Sequence, residues 1–165
     1  MPQDGKPIDA ASFWQALGER ATGVTIVTAR GVAGPAGFLG LSASPVCAEP
    51  PTMLVSIDDK TSALAAVLES GAFAINYLPD SVRDVAEQFG FKSTLKGADR
   101  FEAGRWGALT TGSPVLANAL GGFDCTVDDT CRRGNTTIVI GRVVDLAAKC
   151  EGEPLIFFRG RYREA

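Results

Sequence analysis

The chain has 165 residues, of which 45% are hydrophobic and 21% are charged, and its formal net charge at pH 7 is −3. This length and composition predict one folded domain that is large enough to bury a core. The acidic balance gives no electrostatic reason to expect nucleic acid or an anionic membrane as a partner, so any phosphate recognition must be local.

The first half of the chain predicts one helix and three strands. Asp9 can cap a helix that carries Phe13, Trp14 and Leu17 on one face. The β-branched run at residues 24–28 predicts a strand, and the glycine-rich residues 31–37 predict a turn. Two further strands are predicted over residues 38–46 and 53–58.

The second half predicts two helices among long strands. The first helix starts at Thr61 or Ser62, runs to residue 69 and is stopped by Gly71, and the second covers residues 79–89. The predicted strands cover residues 73–78, 117–131, 135–149 and 155–159, with irregular structure at 90–114.

The glycine–asparagine turn before the 135–149 strand predicts a hairpin, which cannot form the crossovers of a parallel sheet. The fold class we predict is therefore mainly β (α+β): a small antiparallel barrel with flanking helices. The domain covers residues 12–163 and follows a flexible N-terminal arm of residues 1–11. Because no apolar signal core or membrane-length segment is evident, we expect a cytoplasmic location.

Histidine does not occur in the chain. This excludes Ser–His and Cys–His nucleophile systems, histidine-ligated metals and the usual general base near neutral pH. The four cysteines show no C-x-x-C pair, which argues against structural zinc. Carboxylates, a thiol, a lysine or a cofactor remain, and a cofactor fits best because it brings the difficult chemistry with it.

The most informative stretch runs from Pro50 to Ser62. A predicted strand in this stretch is followed by Asp58-Asp59-Lys60-Thr61-Ser62 and then by a predicted helix. This order places a cation, two hydroxyls and free backbone N–H groups at the N-terminus of the helix. Such a terminus suits a phosphate group. The alternative interpretation is a capped helix beside an exposed lysine. Other glycine patterns do not match a phosphate loop or a dinucleotide-binding loop in spacing and context.

Several other polar positions allow both a ligand-binding and a structural interpretation. The small residues of Ser42-Ala43-Ser44-Pro45-Val46 would let a planar ligand approach the strand backbone, or they would simply face solvent. Asn76 interrupts an apolar strand, either to bond a neighbouring backbone or to reach a ligand. The remaining positions of this kind are Gln88-Phe89, Arg100-Phe101 and the basic, aromatic C-terminal run that contains Arg161 and Tyr162.

Together, these pieces resemble the flavin reductase-like, FMN-binding split-barrel family, the reductase component of two-component flavin monooxygenases. The resemblance extends from about residue 12 to residue 163 and rests on the order and spacing of many short motifs. The motifs are Phe13-Trp14, Leu17, residues 21–28, Gly37, Ser44, Pro50-Pro51, Asp58, Thr61-Ser62, residues 73–78, Ala86, Phe89, Arg100-Phe101, residues 141–143, residues 152–155 and Arg159-Gly160-Arg161-Tyr162.

The resemblance implies a homodimer of split barrels that passes hydride from NADH or NADPH to FMN or FAD, with flavin near the subunit interface. It also implies a partner monooxygenase, and neither nucleic acid nor membrane. Flavin-binding residues are implied at Ser42, Ala43, Ser44, Pro45, Val46, Ser56, Asp58, Lys60, Thr61, Ser62, Asn76, Gln88, Phe89, Arg161 and Tyr162. We expect no catalytic side chain and no metal ligand, since hydride transfer to flavin needs stacked rings and a polar surrounding.

Two departures from the family pattern affect these expectations. Leu39 and Gly40 stand where the family often has threonine and alanine, which alters part of the flavin contacts. Asn135 and Thr136 replace the family's Asp-His on the nicotinamide side, and a threonine hydroxyl cannot supply an imidazolium charge. The alternative is therefore a flavin-binding protein that has lost nicotinamide use or that reduces another acceptor, such as a corrinoid.

Overall fold

The computed structural model describes residues 7–90, 92–147 and 149–163. Three α-helices occur in these ranges, α1 (Ala10–Leu17), α2 (Ser62–Ser70) and α3 (Arg83–Phe89), with 3₁₀ helices at Asp80–Val82 and Gly97–Arg100. The strands are β1 (Thr22–Gly23), β2 (Thr25–Gly31), β3 (Gly34–Gly40), β4 (Ser44–Ala48), β5 (Pro51–Asp58), β6 (Ala72–Tyr77), β7 (Trp106–Ala108), β8 (Pro114–Leu116), β9 (Gly121–Arg133), β10 (Thr136–Ala147), β11 (Ile156–Phe158) and β12 (Arg161–Arg163).

Seven strands form one antiparallel sheet in the order β3-β2-β6-β9-β10-β5-β4. Its two edge strands follow each other in the chain, with only residues 41–43 between them. Four residue steps from Gly40 to Ser44 span at most about 14 Å, whereas seven flat strands would extend about 29 Å from edge to edge. The sheet must therefore curl until its edges approach, which confirms the predicted antiparallel barrel.

Two smaller sheets lie beside the barrel. β1, β11 and β12 form a three-stranded sheet, and β7 pairs with β8. The small sheet joins the two ends of the domain, because Val24 donates its N–H to the Leu155 carbonyl (2.8 Å) and Leu155 donates its own to Leu78 (2.9 Å). The C-terminal run is thus part of the folded domain.

Two apolar clusters hold the domain together. The first fills the barrel between β2, β5, β6 and β10 and includes Phe73 and Ile75, with α2 contributing Ala63, Ala66 and Val67. The second lies outside it, where α3, β8 and the Leu155 segment pack on the outer side chains of β2. Since alternate residues of β2 enter the two clusters, the barrel wall is buried on both sides there.

Close packing in the barrel requires a glycine at position 141 on β10. A Cβ atom there would lie 2.5 Å from Cε1 and 2.6 Å from Cζ of Phe73, one of the fully buried side chains. Any side chain at this position would displace that ring, so Gly141 lets β10 pass over the Phe73 side chain.

The structure corrects parts of the predicted element order. The single strand predicted over residues 38–46 is two strands, β3 and β4, because the chain crosses there from one sheet edge to the other. The predicted glycine-rich turn shrinks to Val32 and Ala33, between the hairpin strands β2 and β3. The segment at 90–114 was predicted to be irregular, but it contains a 3₁₀ helix, β7 and the start of β8.

At the N-terminus, α1 begins at Ala10, so the last two residues of the predicted arm, 10 and 11, are helical. Residues 1–6 of that arm lie outside the described residues. None of the helices in the described ranges has the length and apolar character that a membrane crossing requires.

Candidate functional site

A tight turn joins β5 to α2 and shapes the predicted phosphate end of the site. The Asp58 carboxylate accepts the backbone N–H of Lys60 (2.9 Å), and the Asp58 carbonyl accepts the N–H of Thr61 (2.9 Å). An aspartate that bonds a backbone N–H two residues ahead is a common turn device. Asp58 therefore shapes the turn that presents Lys60, although the sequence predicted a flavin contact for it.

The N-terminus of α2 lacks a side-chain cap. Thr61 is the N-cap residue with extended backbone angles (φ −80°, ψ 122°), but its side chain makes no capping hydrogen bond. Lys60 forms no ion pair with any residue that the structure describes. The Thr61 side chain therefore does not cap the helix, while Lys60 is exposed, as the alternative interpretation also expected. Backbone N–H groups, two hydroxyls and one ammonium lie at this helix terminus.

The β9–β10 turn is fastened to this junction. Asp59 donates its backbone N–H to the Asn135 carbonyl (2.9 Å), and its carboxylate accepts the Thr137 hydroxyl (3.1 Å) and pairs with Arg132 (2.7 Å). The Asn135 side-chain amide donates to the Asp58 carboxylate (3.2 Å). Asp59 is thus paired with a cation, Arg132, whereas Asp58 bonds only neutral N–H groups and keeps its negative charge close to Lys60.

Ser42 and Ser56 bond each other where the barrel edges meet. The Ser42 hydroxyl accepts the Ser56 N–H (3.0 Å) and donates to the Ser56 carbonyl (3.2 Å). This pair continues the register of β4 with β5, in which Ser44 lies opposite Leu54. Ser42 therefore holds the crossing segment 41–43 against β5.

One face of β5 points away from the barrel core and carries several predicted flavin residues. Met53, Val55 and Ile57 are buried in the core, so the alternating residues Leu54, Ser56 and Asp58 face outward. Ile140, Ile138 and Thr136 of β10 lie opposite these three residues, and Ser44 lies opposite Leu54. We call this set the outward face; its apolar residues are partly buried and are bordered by hydroxyl groups.

The predicted ring and phosphate regions are close enough for one ligand. Ser44 pairs with Leu54, four residues before Asp58, which corresponds to about 13 Å along the strand. Pro45 and Val46 are exposed, and Val46 is 47% accessible. Ala43 is partly buried and packs on the barrel core. The structure thus brings Ser44, Ser56 and Asp58 to one side of the sheet close to residues 60–62, whereas Ala43 packs toward the core.

Asn76 lies apart from this surface, inside the protein. It is fully buried, and its side-chain amide donates to the Ile26 carbonyl (3.1 Å) and the Thr28 hydroxyl (3.3 Å). Its side-chain oxygen accepts the Leu116 N–H (2.8 Å). These bonds join β6, β2 and β8 and use the polar atoms of the side chain, so the geometry favours the structural interpretation of Asn76 over a flavin contact.

Phe89 is likewise a core residue, with 4% of its surface accessible. Its ring packs edge-on against Phe101 (centroids 5.2 Å apart) and close to Trp106 (5.7 Å). The Arg100 guanidinium lies 5.7 Å from the Phe89 centroid and donates to the Gly37 carbonyl (3.5 Å). The predicted flavin contact of Phe89 therefore finds no support in its packing, whereas its neighbour Gln88 is partly exposed.

Tyr162 lies on the second apolar cluster, together with Leu41, the residue that precedes Ser42. It contacts Phe157 (5.6 Å) and lies under the Arg83 guanidinium (5.4 Å), and its burial raises the pKa of its phenol. Arg161 on the same strand is exposed. Tyr162 and Leu41 thus pack on the second apolar cluster, whereas Leu54 and Ser56 lie on the outward face of β5.

The structure offers neither a perturbed general base nor a metal cluster in the part of the chain that it describes. Burial raises the pKa of the Cys125 thiol to about 12, which keeps it protonated. Among the described residues, groups of three or more potential metal ligands are not found.

The sequence assigned no separate role to Asp59, Thr137 or Arg132, which lie beside the predicted phosphate end and bond one another. Their mutual bonds depend on the register that places Thr136 opposite Asp58. The Arg132-Arg133-Gly134-Asn135 turn was the available signal, but its partner strand could not be known without that register.

Comparison with known proteins identifies relatives of this chain among flavin reductases. A family model described as a flavin reductase like domain matches residues 17–165. FMN reductase (NADH) RutF of Agrobacterium fabrum is 38% identical over 151 residues, which are 92% of this chain and 86% of that protein.

Solved structures agree with the sequence comparisons. BorF, the flavin reductase component of a bacterial two-component tryptophan halogenase, superposes with a TM-score of 0.86 at 25% identity, covering 94% of this chain and 98% of that one. The NADH:FAD oxidoreductase SgcE6 of Streptomyces globisporus, solved with NAD and FAD fragments, superposes with a TM-score of 0.83 at 26% identity, covering 94% and 92%.

Proposed function

Because the chain belongs to the flavin reductase-like family, we propose that it is a flavin reductase that passes hydride from NADH or NADPH to FMN or FAD. The observation that carries the proposal is the β5–α2 junction, where Lys60 has no ion-pair partner among the described residues and α2 has no side-chain cap. This junction adjoins the outward face that would hold a flat ring. The similar proteins RutF, an FMN reductase (NADH), and SgcE6, an NADH:FAD oxidoreductase, support NADH as the electron donor and FMN or FAD as the acceptor.

In this proposal the nicotinamide would transfer one hydride, which carries two electrons and one proton, to the flavin, and solvent would supply the second proton. Lys60 and the first-turn N–H groups of α2 bind the flavin phosphate, since cations and helix N-termini favour anions. Residues 44–46 and Leu54 contact the ring, and Ser42 and Ser56 keep the strand backbone in place beneath it.

No protein acid or base is assigned a role in hydride transfer. The rate depends on holding two rings in contact and on excluding competing orientations. Thr136 lies on the outward face opposite Asp58, and we assign its hydroxyl to the border between the phosphate end and the nicotinamide side of the site. The missing histidine then affects binding of the donor more than the chemical step.

We also propose a homodimer. Leu54, Ile138 and Ile140 form a partly buried apolar strip on the outward face. None of the residues of α1 is buried, and Phe13 and Trp14 are 52% and 65% accessible. An eight-residue helix is not stable alone in water, so a second subunit that covers these surfaces would explain their exposure and would place flavin near the interface.

The proposal also includes a partner enzyme and a cellular location. A flavin-dependent monooxygenase or a related oxygenase would use the reduced flavin, by analogy with the two-component system that contains BorF. The four cysteines are free thiols, which supports the predicted cytoplasmic location because reducing compartments keep thiols unpaired.

A second candidate function follows from Asn135 and Thr136. Since neither residue can provide a positive charge, the chain could bind flavin and yet accept electrons from a source other than a nicotinamide, or pass them to another acceptor such as a corrinoid. Oxidation of NADH and NADPH, measured with added riboflavin, FMN and FAD, separates the two candidates. The reductase proposal expects flavin-dependent NADH oxidation, while tight flavin binding without NADH or NADPH oxidation would favour the second candidate.

A further inference from the structure

One edge of strand β9 has no partner strand over its second half. β6 pairs with β9 from Gly121 to Thr126, and the next residue, Val127, donates its N–H to the Gly71 carbonyl (2.8 Å). From there to Arg133, the strands in the described ranges pair with β9 on its β10 side alone. The opposite side of this segment therefore presents backbone N–H and C=O groups to which a further strand could add.

This part of β9 is also uncovered on its two faces. We call residues 128–133 the free edge; all of them are exposed except Cys131, which is partly buried. Side chains alternate between the two faces of a strand, so exposure of consecutive residues means that neither face is covered by the described part of the chain. At about 3.4 Å per residue, the free edge is about 20 Å long.

The order of charges along the free edge limits which strand can pair with it. Asp129 lies near its start and Arg133 at its end. Charged side chains on an edge strand usually keep other strands away, and like charges directly opposite each other destabilise a strand pair. An antiparallel copy of the same strand, however, brings Asp129 opposite Arg133. The free edge is therefore complementary to itself.

One register satisfies both the charges and the faces of the strand. Every second residue of the free edge shares the outward face, because each lies opposite a residue of β10 on that face: Asp129, Cys131 and Arg133. A twofold axis through Cys131 keeps these residues on one side of the joined sheet and places each Asp129 opposite Arg133 of the second copy. A shift by one residue would place outward-facing residues opposite inward-facing ones.

The two charged groups are available for this contact. Each makes a local bond: the Asp129 carboxylate accepts the Thr130 N–H (2.7 Å), and the Arg133 guanidinium donates to the Arg132 carbonyl (2.9 Å). Neither group forms an ion pair with a residue that the structure describes. Arg132 is paired with Asp59 (2.7 Å) and lies on the other face of the strand, so the contact leaves that ion pair in place.

We propose that the free edge of β9 pairs with the same edge of a second copy of the chain, so that two seven-stranded sheets become one continuous sheet. Each copy has one such edge, so the contact closes on itself. It is distinct from the homodimer proposed above, because edge-to-edge pairing leaves α1 and the outward face uncovered. Five paired residues on each strand bury less than a standard interface, so we expect the association to depend on protein concentration.

Exchange of the two charges tests the proposal. Asp129→Arg and Arg133→Asp each replace two opposite-charge pairs by two like-charge pairs, whereas the double variant restores opposite charges in reversed order. Sedimentation velocity over a range of protein concentrations measures the association. We expect each single variant to weaken it about tenfold and the double variant to return to within about threefold of wild type. Glu151→Arg, a similar charge change at an exposed carboxylate outside the hairpin, should have no effect.

Cys131 gives an independent measurement of the same contact. Residues directly opposite each other in an antiparallel pair have Cα atoms about 4.5–5.5 Å apart, a separation that a disulfide can span. Diamide, which takes two electrons and two protons from a pair of thiols, should therefore link two copies through Cys131 in the wild type and in the double variant, and much less in the single variants. Non-reducing electrophoresis and peptide mass mapping identify the linked cysteines, and Cys131→Ser should remove the link.

Three results would overturn the proposal. A Cys131 link that persists in both single variants would exclude the proposed register. A double variant that unfolds at the same urea concentration as wild type but does not regain association would exclude the charge pairing. A wild type without a Cys131 link, whose association is unchanged by Asp129→Arg, would exclude the contact itself. Because none of these measurements uses flavin, such results would leave the proposed function standing.

Discussion

Replacing Asn76 tests whether this residue supports the barrel or contacts flavin. In Asn76→Ala the buried Leu116 N–H loses its acceptor and the Ile26 carbonyl loses a donor, while the Thr28 hydroxyl keeps its bond to the Pro114 carbonyl (2.5 Å). Each buried group left without a partner costs about 1–3 kcal/mol, and the vacated volume adds to that. We expect a loss of about 3–5 kcal/mol from a typical total of about 5–15 kcal/mol.

Urea unfolding followed by circular dichroism measures this loss, and the same preparation is titrated with FMN. A loss of this size should lower the melting temperature by roughly 6–20 °C. The FMN dissociation constant of the folded variant should stay within a factor of about two of wild type, because the polar atoms of Asn76 are used inside the protein.

Asn76→Asp provides the matched comparison. It keeps the oxygen that accepts the Leu116 N–H but turns a second oxygen toward the Ile26 carbonyl. Because burial favours the neutral form of a carboxyl group, its folded-state pKa is raised, so its stability deficit should shrink as the pH falls toward 4. Wild-type stability of Asn76→Ala combined with a tenfold weaker affinity for FMN would refute the structural interpretation.

Three further predictions concern the phosphate end, an acid-sensitive ion pair and the buried thiol. Lys60→Ala should weaken FMN about five- to tenfold, the effect of one exposed charge-assisted bond, and leave riboflavin unchanged in parallel fluorescence titrations; equal losses for both would contradict the phosphate assignment. The two bonds that the Arg105 guanidinium donates to Asp84 (2.5 and 3.3 Å) lower the pKa of that carboxyl. Its contribution is therefore present above the unfolded-state pKa and is lost as the pH falls through the folded-state value, so Asp84→Asn should cost up to about 1 kcal/mol at pH 7 and nothing near pH 2, by urea titration at each pH. Cys125, whose thiol pKa is raised to about 12, should resist iodoacetamide at pH 8 in the native protein and react only after unfolding, by peptide mass mapping; rapid native labelling would show that the barrel opens.

The sequence was enough to predict the fold class and most elements, because hydrophobic periodicity and turn residues are local signals. It could not show that residues 38–46 cross between two sheet edges. Ser42 is compatible with a continuous strand and with a crossing segment, so its residue type does not distinguish the two. The α2 terminus was left open between a cap and a phosphate site. The structure shows that the Thr61 side chain makes no cap bond, and the phosphate site stays a prediction.

The predicted site residues divide in a similar way. Positions on β4, β5 and the α2 terminus come together because strand register aligns Ser44, Ser56 and Asp58 on one face. Asn76 and Phe89 follow the family pattern equally well, yet they are buried. A family motif indicates which residue types recur at a position. It does not distinguish residues that contact a ligand from buried residues that support the strands around the site.

The most direct test of the account is anaerobic addition of NADH to FMN in the presence of the purified protein, followed by flavin absorbance. The account predicts loss of the oxidised-flavin band at a rate proportional to the protein concentration, with one flavin reduced for each NADH oxidised. A band that persists after NADH and NADPH are each added, while equilibrium dialysis shows FMN bound to the protein, would contradict the claim that this chain is a nicotinamide-dependent flavin reductase.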